Sequence, residues 1–328
     1  MADNVESLAT DADDTSSFDE GRYLYCAVTV DDEPDTSGLE DVTGIEDSAV
    51  SLVTRGDVGV VVHPVDAPYD SDDLGRVRRW LLSHQQVVDD AGRAFGTPLP
   101  FRFDTIVAGD DHTVVEWLEA NAEELEAALE WLAGRWEYRI DLRWDESSVE
   151  AEIRESDEEL RELSARLDEA SGGTGFLVEK QYQTRLRERL AERRDRVAAE
   201  LVDRLEPHTV EIRRAGGSSE RFSAADDDDR SLVVRLSVLA EADREEAIGE
   251  ELEPYADRPA YDVRYTGPWP PYSHAPSIGD DDGGDSVAGD GDAADDGGDP
   301  VAGGGDAAAD VATGGDDADE ADPRGAER

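Results

Sequence analysis

The side chains able to do chemistry are few and scattered. Cys26, the single cysteine, sits mid-strand between apolar neighbours with nothing beside it to activate a thiolate, and reads as a buried structural thiol. The five histidines, His63, His84, His112, His208 and His274, never fall three or four residues apart, so none begins a helical metal site. His84 stands out because it lies on a long helical pattern beside Gln85 and Gln86. With a nearby carboxylate it could act as a general base on an α/β scaffold; otherwise it is a satisfied polar group at a helix–sheet junction. The acid clusters at Asp70-Asp72-Asp73, Asp226 to Asp229 and Asp280 to Asp282 do not reproduce a calcium loop closed by Glu. Gly172-Gly173-Thr174-Gly175 lacks the Lys-Ser/Thr of a phosphate loop and joins two helical patterns, so it is a turn. No catalytic residue, cofactor or metal is called for, and the chain is expected not to be an enzyme.

Apolar periodicity assigns the elements that hold these residues. Strands are predicted over 22–30, 49–54, 57–65 and 98–107, with a helix over 72–95 between the last two. A single amphipathic helix is expected over 112–133, with Val114, Leu118, Ala122, Leu125, Leu129 and Leu132 on one face and Gly134 ending it. Residues 135–144 alternate Trp136, Tyr138, Ile140, Leu142 and Trp144 against charged neighbours, the pattern of a half-buried strand. Val149, Ile153, Ser156, Leu160, Leu163, Leu167 and Ala170 follow coiled-coil steps, and Leu186, Leu190, Val197, Leu201 and Leu205 supply the facing stripe. The first arm is rich in Glu and the second in Arg, so the arms should also pair by charge. Strands at 208–213, 232–239 and 261–265, with a helix near 241–255, complete the folded chain, and the 216–229 loop should be exposed.

The expected class is α+β. An N-terminal ferredoxin-like α/β sandwich of mixed sheet and two helices spans 21–145, an antiparallel helical hairpin 146–206, and a second small α+β unit 207–278. A disordered acidic leader, 1–20, and a disordered Asp/Gly/Ala tail, 279–328, flank them. The tail repeats one pattern at Val287-Ala-Gly, Val301-Ala-Gly and Val311-Ala-Thr.

Acids outnumber bases 83 to 31 over 328 residues, a formal charge of −52. Molar salt, where the Debye length is about 3 Å, makes such a surface tolerable. Lys180 is the sole lysine. Coding bias alone would deplete lysine, but the acid excess beside it points to a salt-filled cell. Nucleic acid and anionic lipid membranes are excluded as partners by repulsion. The opening residues lack the cationic and apolar blocks of a secretion signal, and no apolar run approaches the roughly 20 residues of a membrane span, so a cytoplasmic protein is expected.

Two segments are more specific. Pro98-Leu-Pro-Phe-Arg-Phe-Asp-Thr-Ile-Val follows the His84 helix, and Thr266-Gly-Pro-Trp-Pro-Pro-Tyr-Ser closes the folded region; Arg22-Tyr-Leu-Tyr opens it. In this order they resemble the gas vesicle protein family that includes the F and L accessory proteins, over residues 21–272. Length, salt adaptation and tail look more like a haloarchaeal L type. Asp104 stands where the family often has Gly, and His274 where an aromatic is common. The resemblance implies a non-enzymatic protein of gas vesicle assembly that binds the hydrophobic shell subunit or other accessory proteins and is a minor component of the vesicle. The positions it marks, as structural or interaction residues, are Tyr23, Tyr25, His84, Pro98, Pro100, Phe101, Phe103, Gly267, Pro268, Trp269, Pro270, Pro271 and Tyr272. A generic acidic chaperone with little partner preference is the remaining alternative.

Overall fold

The structure, a computed structural model, describes residues 18–31, 34–169, 173–214 and 230–279. Most of the predicted leader, nearly all of the predicted tail, the 216–229 loop and Ser171-Gly172 of the turn lie outside the described residues.

Strand β1 (Gly21–Thr29) is buried at every position but the last. It can be, because both of its faces are apolar. It pairs antiparallel with β3 (Val58–Val65), which pairs with β2 (Ser51–Arg55) across a turn where Gly56 adopts φ 59°. On its other side β1 carries two short strands, β4 (Leu99–Pro100) and β5 (Ile106–Ala108). Every pairing in this sheet is antiparallel, so the expected mixed sheet is not formed. A bulge at Tyr25, between Leu24 and Cys26, shifts the alternation of β1. Leu24 and Ala27 thereby join one core with Val60 and Val62, while Tyr23, Tyr25, Cys26 and Val28 join another.

Helix α1 (Leu74–Phe95), capped by the Asp73 carboxylate, covers the second of these faces through Trp80, Val87, Val88 and Ala91. The opposite face is covered by α2 (Asp111–Ala120) and α3 (Ala122–Leu132), through Val114, Leu118, Leu125 and Leu129. These replace the single helix expected over 112–133. The break is at Asn121, whose side-chain amide donates to the Trp117 carbonyl at 2.8 Å and so competes with the helical ladder. The expected 98–107 strand is likewise split. Its middle turns away where Thr105 N–H bonds the Arg102 carbonyl and Asp104 takes φ 67°.

Strand β6 (Arg135–Trp144) leaves the first sheet altogether. It is an inner strand of a second antiparallel sheet, ordered β7 (Glu211–Arg214), β8 (Ser231–Glu241), β6, β9 (Tyr261–Trp269). The expectation that it closes the N-terminal sandwich is therefore corrected, because alternation shows that a strand exists but not which strand it bonds. It is also buried more completely than a half-buried strand. Glu137, Asp141 and Arg143 are all buried, which ion pairing makes tolerable: Asp141 accepts two bonds from Arg235 at 2.7 and 2.8 Å. Tyr138, Ile140, Leu142 and Trp144 form the apolar face, against α7 (Glu245–Ala256) and the hairpin.

The hairpin's first arm is two helices, α4 (Glu146–Ser156) and α5 (Glu158–Glu169), instead of one continuous seam. At the break Ser156 is exposed and Asp157 buried, its carboxylate capping Leu160 N–H at 3.0 Å and meeting Arg185 and Arg189 of α6 (Gly173–Leu205) at 3.1 and 2.9 Å. Arg194 with Glu146 and Arg193 with Glu152 extend the expected pairing by charge.

Candidate functional site

The buried polar groups of the first sheet converge at one end of β1. Tyr23 and Tyr25 project toward α1 with ring centroids 4.9 Å apart; His63 of β3 stacks on Tyr23 at 5.0 Å; His84 of α1 meets Tyr23 edge-on. Phe103, from the loop that splits the expected strand, and Tyr69 close around them. The polar atoms form two short chains. Asp104 N–H donates to the Tyr23 hydroxyl at 3.2 Å, and that hydroxyl lies 2.8 Å from His84 Nδ1. Which of the two, hydroxyl or Nδ1, donates follows the tautomer of the ring, and His84 Nε2 on its far side lacks a hydrogen-bond partner. His63 Nε2 meets the Tyr69 hydroxyl at 2.9 Å, and Tyr25 hydroxyl accepts the Ile45 N–H at 2.9 Å.

Burial keeps this cluster uncharged. It lowers His63 and His84 to about 4. It pushes Tyr69 up to about 12 and raises Tyr23, Tyr25 and Tyr272 well above the ordinary phenol range. A neutral imidazole bonded to a phenol, 3% exposed, is poorly placed to take a proton from a substrate. No carboxylate is hydrogen-bonded to His84 among the described residues.

The closing motif reaches the same cluster from the second sheet. Trp269 ends β9 opposite Glu137 of β6. Gly267, at φ 141°, runs so close to β6 that a Cβ there would lie 2.7 Å from the Tyr138 ring and 2.9 Å from the Glu137 carbonyl, so only glycine fits. Pro270 and Pro271 are buried and carry the chain across to the first sheet, where the Tyr272 ring packs 6.2 Å from His84. Ser273 then fastens the crossing: its N–H and hydroxyl donate to the fully buried Glu137 carboxylate at 2.7 and 3.0 Å. His274 is buried between Ser237 and Glu211, at 3.1 and 3.0 Å. Burial would raise the Glu211 carboxyl, but bonds from His274 and Arg213 hold it below its usual value.

Of the marked residues, Tyr23, Tyr25, His84, Phe103 and Tyr272 meet in one cluster. Phe101 points to the other face, edge-on to Trp117 at 5.8 Å, and Pro100 pairs with Cys26. Pro98 lies beside Gly92 of α1, where a Cβ would approach Trp136 of β6 to 3.2 Å. Gly267 and Pro268 are exposed on the outer side of β9. His63, Tyr69, Glu137 and Ser273 were not marked by sequence. Glu137 alone had a readable signal, an acid in a strand too apolar on its other face to lie at the rim.

The arrangement is therefore an internal joint, with an uncharged aromatic cluster at its centre, tying two antiparallel sheets in a protein of α+β class. The chain belongs to the gas vesicle synthesis protein GvpL/GvpF family, whose model matches residues 21–276. It is 41% identical to gas vesicle protein L2 of Halobacterium salinarum over 80% of this chain and 94% of that one. Gas vesicle protein L of Haloferax mediterranei is 36% identical over 79% and 89%, and gas vesicle protein F of a Streptomyces species 30% over 71% and 92%. The fold matches the crystal structure of gas vesicle protein GvpF from Anabaena, with a TM-score of 0.64 at 20% identity over 80% of this chain and 99% of that one. This is a gas vesicle accessory protein most like the haloarchaeal L proteins. No described helix is long and apolar enough to cross a membrane.

Proposed function

We propose that this chain is a non-catalytic assembly factor that binds the hydrophobic gas vesicle shell subunit, other gas vesicle accessory proteins, or both, in the cytoplasm and at the vesicle, with neither nucleic acid nor lipid membrane as partner. One observation carries the reading. The cluster of Tyr23, His63, Tyr69, His84 and Tyr272 is largely buried and uncharged where the closing segment meets the first sheet, which favours the hairpin and the sheet edges β2, β4/β5, β7 and β9 as the surfaces on which the chain acts.

The test is deletion of the gene followed by inspection for buoyant, gas-filled cells, together with capture of gas vesicle proteins on the tagged chain in molar KCl. Loss of normal vesicles and capture of vesicle proteins are expected. Normal vesicles with no vesicle protein captured would overturn the proposal. Equal capture of unrelated proteins would mark a general acidic chaperone instead. The alternative of an enzyme built on His84 predicts that His84→Ala abolishes a measurable turnover while leaving capture intact.

A further inference from the structure

The start of α6 differs in chemistry from the rest of the surface. From Gly173 to Arg187 there is one acid, Glu179, against Lys180, Arg185 and Arg187, in a chain of net charge −52; Arg185 is taken up by Asp157 and Glu159 of the first arm, which leaves this stretch close to neutral. Phe176 and Leu177 lie here side by side, 67% and 61% exposed, the only adjacent pair of large exposed apolar side chains among the described residues. They are not surplus from the hairpin's own seam. That seam is filled by Val178, Leu186 and Leu190 of α6, which are buried along with Leu160 and Leu163 of α5. Lys180, one turn on from Phe176, has no ion-pair partner among the described residues, and Gln181 and Gln183 continue an exposed face that carries little charge.

Where proteins are acidic, two carboxylate-covered surfaces repel at short range even when salt screens them beyond about 3 Å. Contact must then be made where the carboxylates stop. An apolar pair in a nearly neutral setting beside Lys180 complements a segment that is apolar with neutral or acidic neighbours, and molar salt strengthens the apolar part of such a contact.

We propose that the first turns of α6, centred on Phe176 and Leu177, are the surface with which the hairpin grips an apolar helical segment of a partner protein whose flanks are neutral or acidic. This rests on the assembly role proposed above and names the surface that performs it.

The experiment uses the full-length tagged chain, with the gas vesicle proteins captured by the parent in molar KCl as probe. Phe176→Ala/Leu177→Ala is compared with Leu74→Ala/Leu82→Ala, which truncates two exposed leucines on α1, 82% and 57% exposed. Circular dichroism melts check that both variants are folded. Burying an aromatic and a leucine side chain predicts capture at least about tenfold weaker for the α6 variant, and no change for the α1 variant. Equal capture by parent and α6 variant overturns this inference and leaves the assembly role standing; equal losses in both variants also overturn it. No capture by the parent removes the assembly role itself. A change in the sedimentation of the purified chain alone on Phe176→Ala/Leu177→Ala would make the occupant a second copy and overturn the partner proposed.

Discussion

Removing the Glu137 carboxylate should unfasten the closing segment. Glu137 is fully buried and accepts three bonds, from Ser273 N–H at 2.7 Å, Ser273 hydroxyl at 3.0 Å and Arg139 Nε at 2.9 Å. Buried hydrogen bonds to a charged group contribute about 1.5–3 kcal/mol each. The Arg139 side chain is 49% exposed, so its ion pair is discounted to below about 1 kcal/mol. Glu137→Ala is thus expected to cost about 3–5 kcal/mol, mostly from the two bonds to Ser273. Glu137→Gln keeps an acceptor at one oxygen and should cost about 1–2 kcal/mol. Urea unfolding in molar KCl, followed by the fluorescence of tryptophans that include neighbouring Trp136 and Trp269, measures both. Hydrogen exchange should quicken first at Ser273 and His274. If Glu137→Ala lies within about 1 kcal/mol of the parent, the gain in pairing merely cancels the desolvation of the carboxylate, and the segment is held by Tyr272 and the prolines instead.

Gly267→Ala has no room for its methyl against Tyr138 and Glu137, and should lower stability by at least about 2 kcal/mol, read as a drop in melting temperature. Asp104 holds φ 67° while its carboxylate accepts Tyr69 N–H at 2.9 Å. Asp104→Ala should therefore destabilise more than Asp104→Gly, which regains conformational freedom, and the order of their urea midpoints checks this. His63 and His84 protonate near 6.5 when unfolded but only near about 4 in the fold. Between those values the unfolded chain binds more protons. Stability is full above pH 6.5 and falls by up to about 1.4 kcal/mol per pH unit per histidine on acidification toward 4. His84→Gln should remove one proton's share of that slope; an unchanged slope would show that His84 does not titrate this way.

Much of the fold was legible because one residue pattern dictated it locally. The two-residue alternation of 135–144, the heptad steps of the hairpin and the glycine after Leu132-Ala133 each specify their element without reference to a partner. The errors fell where a local pattern was overruled by a single side chain. Asn121 broke a helix by bonding its own backbone, Asp157 took the buried place of Ser156 because two arginines from α6 met it, and Asp104 turned a strand around the Tyr23 hydroxyl.

The sequence by itself determined the salt-adapted surface, the existence of nearly every element and, through the Pro98 and Thr266 segments, the family. Composition and short motifs carry that information without contact between distant residues. Only the tertiary structure decided that β6 belongs to the second sheet and that Tyr23, His63, His84 and Tyr272 share one neutral cluster. Strand pairing and long-range burial depend on which surfaces meet, and residues 23, 63, 84 and 272 have no spacing that could announce it. The histidine that looked most like a catalytic base is, once placed, a neutral hydrogen-bond partner of Tyr23 inside the joint, where burial both weakens its hold on a proton and shuts it away from any substrate.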